Sequence, residues 1–155
     1  MESEQLNRWL TLGANFGVLV GILLLVYELN QNRELMRAEI RNELSQGVIE
    51  FAMAQSENEQ LADIIVRAEA GEKLTPVEQR RYTFFYRGFF RYLANVHYQY
   101  RHGLYDDSEY FVQRDAWGSY LASAKPLVEV WCEYRQTVSL EVQAEINSLL
   151  TTYTC

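Results

Sequence analysis

The chain has 155 residues and a formal net charge of -7 at pH 7, and 48% of its residues are hydrophobic and 14% aromatic. The length beyond the apolar N-terminal segment supplies one compact domain, and the composition excludes the polar, aromatic-poor class of disordered proteins. The negative charge disfavours nucleic-acid duplexes as partners, so any basic binding surface has to be local.

The first predicted element is a transmembrane helix over residues 9–29. Eighteen residues from Leu10 to Tyr27 carry no charge, and with Trp9 and Leu29 the run reaches the length of about 20 residues that crosses a bilayer core. Trp9 and Tyr27 lie at its two ends, where aromatic rings favour the headgroup level. Residues 1–8 then form a short extracytoplasmic N-terminus, and residues 30–155 form a separate helical domain.

Two other structures could produce such an apolar run. A cleaved signal peptide begins with basic residues, whereas this chain begins with Met-Glu-Ser-Glu, so cleavage is disfavoured. A buried core helix of a soluble protein is the second alternative, although such helices are usually shorter. The membrane bilayer is therefore the first predicted partner of the chain.

The arginines that flank the run predict its orientation. Arg8 alone precedes the run, whereas Arg33, Arg37 and Arg41 follow it closely. Lysine and arginine are enriched on the cytoplasmic side of membrane spans. We therefore expect a single-pass protein of the inner (plasma) membrane with its N-terminus outside and its C-terminal domain in the cytoplasm.

Within the run, Gly13, Gly17 and Gly21 are spaced four residues apart and share one face of a helix. Small residues at this spacing let a second membrane helix approach closely, and the amide of Asn15 would need a polar partner in lipid. These four residues predict association of spans, most simply in a homo-oligomer. The alternative is that glycine is simply frequent in membrane helices.

The helical pattern continues beyond the span to about Gln55. Apolar residues recur there three or four positions apart and form a stripe, namely Met36, Ile40, Leu44, Val48 and Phe51. A second helix is predicted to begin at Ser56 or Asn58 and to end at Gly71.

A third, long helix is predicted from Pro76 to about His102, closed by Gly103. Thr75 and Glu78 form a capping box at its start, with Pro76 in the first helical position. Further helices are predicted before Pro126, around residues 128–134 and after residue 139. Because no alternating strand pattern with hairpin turns occurs, the predicted fold class is all-α, with the transmembrane helix continuing into a cytoplasmic helical bundle.

The third helix concentrates positive charge in an otherwise acidic chain. No acidic residue lies between Glu78 and Asp106, and the segment contains five arginines at positions 80, 81, 87, 91 and 101. One interpretation is that carboxylates of neighbouring helices pair with these arginines. The other is a site for a small anionic ligand, because arginine forks bind phosphate and tyrosine can stack on a base. The candidate anion-binding residues are Arg80, Arg87, Arg91, Arg101 and Tyr98.

No residues indicate catalysis, a cofactor or a metal. Cys132 and Cys155 belong to no CxxC or Cys/His cluster, so Cys132 is expected to be a free, buried, apolar thiol in a reducing compartment. His97 and His102 lie five residues apart and do not share a helix face as a metal-binding pair would. No phosphate-binding glycine motif or nucleophile motif is present either.

Three segments carry a resemblance, namely NQNRELMRAEI after the span, YQYRHGLYD from Tyr98 to Asp106, and DAWGSYL. In this arrangement the chain resembles a type of small bacterial membrane protein of uncharacterised activity, with one N-terminal transmembrane helix and a helical cytoplasmic domain. The resemblance implies a bacterial inner-membrane protein and no particular chemistry.

The favoured hypothesis for function is a membrane-anchored, oligomeric interaction or regulatory module whose bundle binds a protein partner or other copies of itself. The alternative is a signal-responsive membrane effector, a channel-like oligomer that binds an anionic, nucleotide-like ligand near the third helix. An enzyme is the third and least supported hypothesis, because no catalytic motif is found.

Overall fold

The computed structural model describes residues Glu2–Cys155, and in this part of the chain every regular element is a helix. The all-α fold class is therefore confirmed. The elements are α1 (Glu2–Ser56), α2 (Glu59–Glu69), α3 (Pro76–Arg101), α4 (Asp107–Ser123), α5 (Lys125–Tyr134), a short 3-10 turn (Arg135–Thr137) and α6 (Leu140–Leu149). The chain divides into two units, an N-terminal unit that ends at Glu39 and a C-terminal domain from Ile40 to Cys155.

The N-terminal unit consists of α1 up to Glu39, and its large apolar side chains are exposed among the described residues. Phe16 is 68% exposed and Leu25 is 59% exposed, and none of the most apolar eighteen-residue stretch is buried. By length and composition this helix could cross a membrane. The alternative of a buried core helix does not describe it, because its apolar surface has no protein around it.

The last part of α1 belongs to the C-terminal domain and packs against α3. Leu44 is buried, Ile40 and Phe51 are partly buried, and a methyl group added at Gly47 would lie 3.1 Å from the Tyr92 ring. The Tyr92 hydroxyl donates a hydrogen bond of 3.1 Å to the carbonyl oxygen of Leu44. The buried positions therefore follow the three-and-four spacing of one helix face.

Two residues of the predicted apolar stripe are exposed, Met36 in the N-terminal unit and Val48 in the domain. Met36 is 49% exposed and Val48 is 43% exposed. Gly47, rather than Val48, faces the neighbouring helix, and a methyl group there would contact the Tyr92 ring more closely than an ordinary van der Waals contact. A pattern of apolar residues alone could not reveal this close approach.

The predicted starts and ends of α2 and α3 are largely confirmed. The Asn58 side chain accepts a hydrogen bond of 3.0 Å from the amide of Leu61, and Thr75 and Glu78 form the capping box at the start of α3. The glycines that follow these two helices, Gly71 and Gly103, have positive φ angles of 79° and 67°. Glycine adopts this left-handed conformation without the steric cost that other residues incur.

The core of the domain is rich in aromatic residues and surrounds α3, which packs against α2, α4 and α5. Its largest fully buried side chains are Trp131, Tyr82, Tyr86, Tyr110 and Phe90. The rings of Phe90 and Trp131 lie 5.0 Å apart, and the Trp131 indole N–H donates a hydrogen bond of 2.9 Å to the Asn147 side chain on α6. Each of these aromatic side chains removes a large apolar area from water and so stabilises the folded domain.

The fifth helix begins earlier than the sequence predicted. It starts at Lys125 instead of near Val128, and Pro126 lies in its first turn. Proline is accepted at that position because the first amides of a helix have no partner within it. Pro126 therefore belongs to the start of α5.

The prediction that Cys132 carries a free thiol was wrong, since Cys132 on α5 forms a disulfide with Cys155, the last residue of the sequence. The two Cα atoms are 5.4 Å apart, although 23 positions separate the residues. The segment after α6 brings Cys155 back to α5, an approach that depends on tertiary structure and has no local sequence signal. Stable disulfides are typical of oxidising compartments, so this bond bears on the orientation in the membrane.

Candidate anion-binding surface

The candidate surface is one face of α3, here called the arginine face. It consists of residues three or four positions apart along the helix, namely Arg80, Phe84, Arg87, Arg91, Asn95 and Tyr98. From Arg80 to Tyr98 it extends about 27 Å at the rise of an α-helix. Most of these side chains are exposed, whereas the opposite face of α3 forms the core.

The arginine face forms no ion pair among the described residues. The cationic side chains that do form ion pairs belong to other helices, namely Arg37, Arg41, Arg67, Arg114 and Lys125. Among the arginines of α3, only Arg81 donates a side-chain hydrogen bond to another described residue, 2.9 Å long, and its acceptor is the neutral Gln60 side chain. The interpretation that neighbouring carboxylates pair with the α3 arginines was therefore wrong. Glu145 on α6 pairs with Arg114 instead, and Glu69 on α2 accepts hydrogen bonds from the hydroxyls of Tyr86 and Tyr120.

The N-terminal part of the arginine face centres on Phe84. The guanidinium carbons of Arg80 and Arg87 lie 5.4 Å and 5.7 Å from the centre of the Phe84 ring, which is itself 56% exposed. Cations over an aromatic ring are attracted to its negative face. The Nε atom of Arg87 is buried and has no hydrogen-bond partner, so this guanidinium has a donor that nothing in the described residues satisfies.

The C-terminal part of the arginine face forms one wall of a cleft of about 630 Å³. The second wall is the turn before α6 together with the start of α6. The residues that line the cleft are Arg91, Tyr92, Ala94, Asn95, Tyr98, Thr137, Val138, Ser139 and Val142. None of them is acidic, and the buried side chain of Val142 contributes apolar surface.

The structure brings together two of the predicted anion-binding residues, Arg91 and Tyr98, which both line the cleft. Arg80 and Arg87 lie on the same face of α3 around Phe84, outside the cleft. Arg101 is an exposed residue at the end of α3 and is not part of the cleft lining. The predicted set is therefore spread along the helix and does not form one pocket.

Three further polar residues of the cleft were not predicted. Asn95 follows Arg91 by four positions and lies on the same helix face, so periodicity could have identified it. Thr137 and Ser139 come from a distant part of the chain, and only the folded structure places them opposite Arg91. The sequence identified Ser139 solely as the cap of α6, and its hydroxyl oxygen accepts a hydrogen bond of 3.4 Å from the Val142 amide.

His97 lies on the buried side of α3 and belongs to a polar network with α4 and α6. Its Nδ1 atom is 2.9 Å from the Tyr110 hydroxyl, which donates a hydrogen bond of 3.0 Å to Glu145, and Arg114 also donates to Glu145. Burial lowers the pKa of His97 below its ordinary value. The network joins α3, α4 and α6 through these hydrogen bonds. Among the described residues, no group of three or more histidine, cysteine or acidic side chains is arranged to hold a metal.

The predicted association residues lie in the N-terminal unit. A methyl group added at Gly13, Gly17 or Gly21 would meet no atom within 4 Å. Asn15 on the same helix is exposed. The glycine stripe is thus uncovered in the single chain, and its contact with a second helix stays a prediction.

Fold and site together define a class of protein, an all-α domain with an unpaired basic helix face, preceded by a helix apolar enough to cross a membrane. Comparison with protein-family models, with curated proteins and with solved structures found no match. The function therefore has to be argued from the residues themselves.

Proposed function

We propose that this protein is a membrane-anchored regulatory module whose helical domain binds an anionic partner through the arginine face of α3. The main support is that Arg80, Arg87 and Arg91 of this face, together with Arg101 at the end of the same helix, form no ion pair among the described residues, although the chain has 21 acidic and 14 basic residues. Unpaired surface charges add little to folding stability. A run of them does create a local positive potential that attracts anions.

The proposed anchor is the apolar part of α1. Its side chains are exposed over the whole uncharged run, and a continuous apolar surface of this kind is unfavourable in water but matches a bilayer core. We propose that it crosses the inner membrane once, with the N-terminus outside and the domain in the cytoplasm, because Arg33, Arg37 and Arg41 follow the run. A C-terminal reporter that works only in the cytoplasm should then be active. Activity of a periplasm-specific reporter at the same position would reverse this orientation.

We further propose that the protein acts as a homo-oligomer. The uncovered glycine stripe of the N-terminal unit supports this, because small residues at four-residue spacing are typical of packed membrane helices. Association of the anchors would bring several arginine faces into one assembly. Several linked copies bind a multivalent anionic partner more tightly than one copy does.

The proposed binding function can be tested with full-length protein in a neutral detergent on a phosphocellulose column. A protein with a net charge of -7 is repelled by this polyanion unless a local basic surface is accessible. We expect retention at low salt and release as salt screens the charges. The quadruple variant with Arg80, Arg87, Arg91 and Arg101 each replaced by glutamine should pass through the column.

The matched control carries the same number of substitutions at cationic residues outside α3, with Arg41, Lys73, Lys125 and Arg135 each replaced by glutamine. Its net charge equals that of the quadruple α3 variant, so it should still be retained if the arginine face is the binding surface. Passage of the wild-type protein through the column, or equal loss of retention in both variants, would contradict the proposed function.

A further inference from the structure

The cleft beside Arg91 contains several hydrogen-bond donors that the protein itself does not use. Arg91 forms no hydrogen bond or ion pair among the described residues, and the same holds for the Tyr98 hydroxyl. The Asn95 oxygen accepts a hydrogen bond of 3.4 Å from Gln99, and the Ser139 oxygen accepts one from Val142, which leaves the amide hydrogens and the hydroxyl hydrogen for other acceptors. Donors thus face a cleft without any acidic side chain.

We propose that this cleft binds a phosphate group that carries an organic substituent, an inference that rests on the proposed function and gives the chemical class of the anion. The Arg91 fork would hold two phosphate oxygens. Asn95 and Ser139 offer donors for further oxygens, which a carboxylate with only two oxygens does not have. The donor set therefore fits phosphate better than carboxylate.

The size and the remaining lining of the cleft argue for an organic substituent. Its volume of about 630 Å³ lies within the range of roughly 300 to 1,000 Å³ that small-molecule sites occupy. Tyr98, which lines the cleft, is 56% exposed. The centre of its ring lies 4.0 Å from the centre of the His102 ring. An exposed aromatic ring next to an arginine can stack on a planar group such as a nucleotide base.

The same phosphate chemistry could come from a soluble nucleotide-like molecule or from the headgroup of an anionic lipid, and the test separates these two sources. Full-length protein in neutral detergent is titrated with adenosine monophosphate, with inorganic phosphate and with a short-chain phosphatidylglycerol below its micellar concentration. Sodium chloride holds the ionic strength constant. Binding is measured by calorimetry and by the shift in unfolding temperature.

We expect at least one of these phosphate probes to bind, and we expect Arg91→Gln to weaken its binding by about tenfold or more, since a hydrogen bond to a charged group contributes about 1.5 to 3 kcal/mol. Arg91→Lys keeps the charge but loses the fork, so it should restore only part of the affinity. The matched control is Lys73→Gln, which removes a charge from an exposed residue outside α3 and outside the cleft and should change affinity less than about twofold.

Binding of adenosine monophosphate that depends on Arg91 supports the proposal with a soluble ligand, and Arg91-dependent binding of phosphatidylglycerol alone supports it with a lipid source. Equal weakening by Arg91→Gln and Lys73→Gln would overturn the cleft assignment and indicate diffuse attraction. Absence of binding by all three probes would also overturn it. In both of these cases the phosphocellulose result still decides whether the arginine face binds anions at all, so the two proposals fail separately.

Discussion

The N-terminal unit and the C-terminal domain use similar apolar residues in opposite ways. In the N-terminal unit, Phe16 and Leu25 expose more than half of their side-chain surface, whereas Phe90 and Leu127 in the domain are completely buried. Helix α1 contributes to both units, and its residues become buried only from Ile40 onward. Hydrophobicity by itself therefore does not identify a core residue in this chain.

The difference indicates what stabilises each unit. The domain buries its apolar side chains against its own helices, so its stability comes from the hydrophobic effect and from close packing of these side chains. The N-terminal unit has no such packing, and the environment that suits its exposed surface is a bilayer. Substitutions in the N-terminal unit should consequently affect membrane integration and association, whereas substitutions in the domain should affect its unfolding free energy.

The largest effect should come from removing the apolar part of α1. We expect the full-length protein to remain in membranes after carbonate or high-salt washing, because the uncharged run from Leu10 to Tyr27 is long enough to be integrated. A chain that begins at Asn32 should instead be released into the soluble fraction. Membrane pelleting and immunodetection measure both. Complete extraction of the full-length protein by carbonate would exclude a spanning helix.

A large effect on stability is expected from Phe90→Ala. Phe90 is 0% exposed and contacts the Trp131 ring at 5.0 Å between centroids, and truncating a buried phenylalanine typically costs about 3 to 5 kcal/mol. Denaturant unfolding of the domain, followed by tryptophan fluorescence in detergent, measures the change.

The matched control for Phe90→Ala is Phe16→Ala in the N-terminal unit. Phe16 is 68% exposed, so its truncation should leave the unfolding free energy of the domain unchanged within about 0.5 kcal/mol. A similar loss in both variants would show that the stability of the domain depends on the N-terminal unit, contrary to the division into two units.

The sequence predicted the parts of the fold that local signals determine. The capping box at Thr75, the glycine after α3 and the uncharged run from Leu10 all act through neighbouring residues. Three other features join residues that are distant in sequence, namely the contact of Gly47 with Tyr92, the disulfide and the two walls of the cleft. No pattern of neighbouring residues predicts such long-range contacts. For the same reason the sequence predicted the arginines of the candidate site but not the hydroxyl group of Ser139 opposite Arg91.

A somewhat smaller effect is expected from loss of the disulfide. Cys132 and Cys155 close a loop with a separation of 23 residues, and the entropy of such a loop corresponds to about 3 kcal/mol in the unfolded state. Cys155→Ser should lower the unfolding free energy of the oxidised domain by up to that amount. With a reducing agent present, variant and wild type should become equally stable. A difference that persists under reduction would contradict a role through the disulfide.

The same cysteine pair provides an independent measure of orientation. Rapid alkylation in intact cells, followed by gel electrophoresis, reports whether the two thiols are free. The proposed cytoplasmic domain should contain mostly reduced cysteines, because the cytosol keeps thiols reduced. A fully oxidised pair in growing cells would place the domain in an oxidising compartment, and the flanking arginines would then have predicted the wrong orientation.

The smallest free-energy effect is expected in the N-terminal unit, at the predicted contact between spans. A methyl group added at Gly13, Gly17 or Gly21 has no atom within 4 Å, so a side chain at Gly17 starts in open space in the single chain, and Gly17→Ile is expected to act by displacing a partner helix. We expect it to lower the oligomeric mass of the full-length protein in mild detergent, whereas Leu24→Ile, outside the stripe, should leave the mass unchanged. Asn15→Ala should weaken association less completely, since polar contacts between membrane helices contribute only about 0.6 to 2 kcal/mol. An unchanged mass for Gly17→Ile would contradict this prediction and show that any oligomer is held together by the C-terminal domain. In that case Phe90→Ala, which destabilises the domain, should lower both the oligomeric mass and the unfolding free energy.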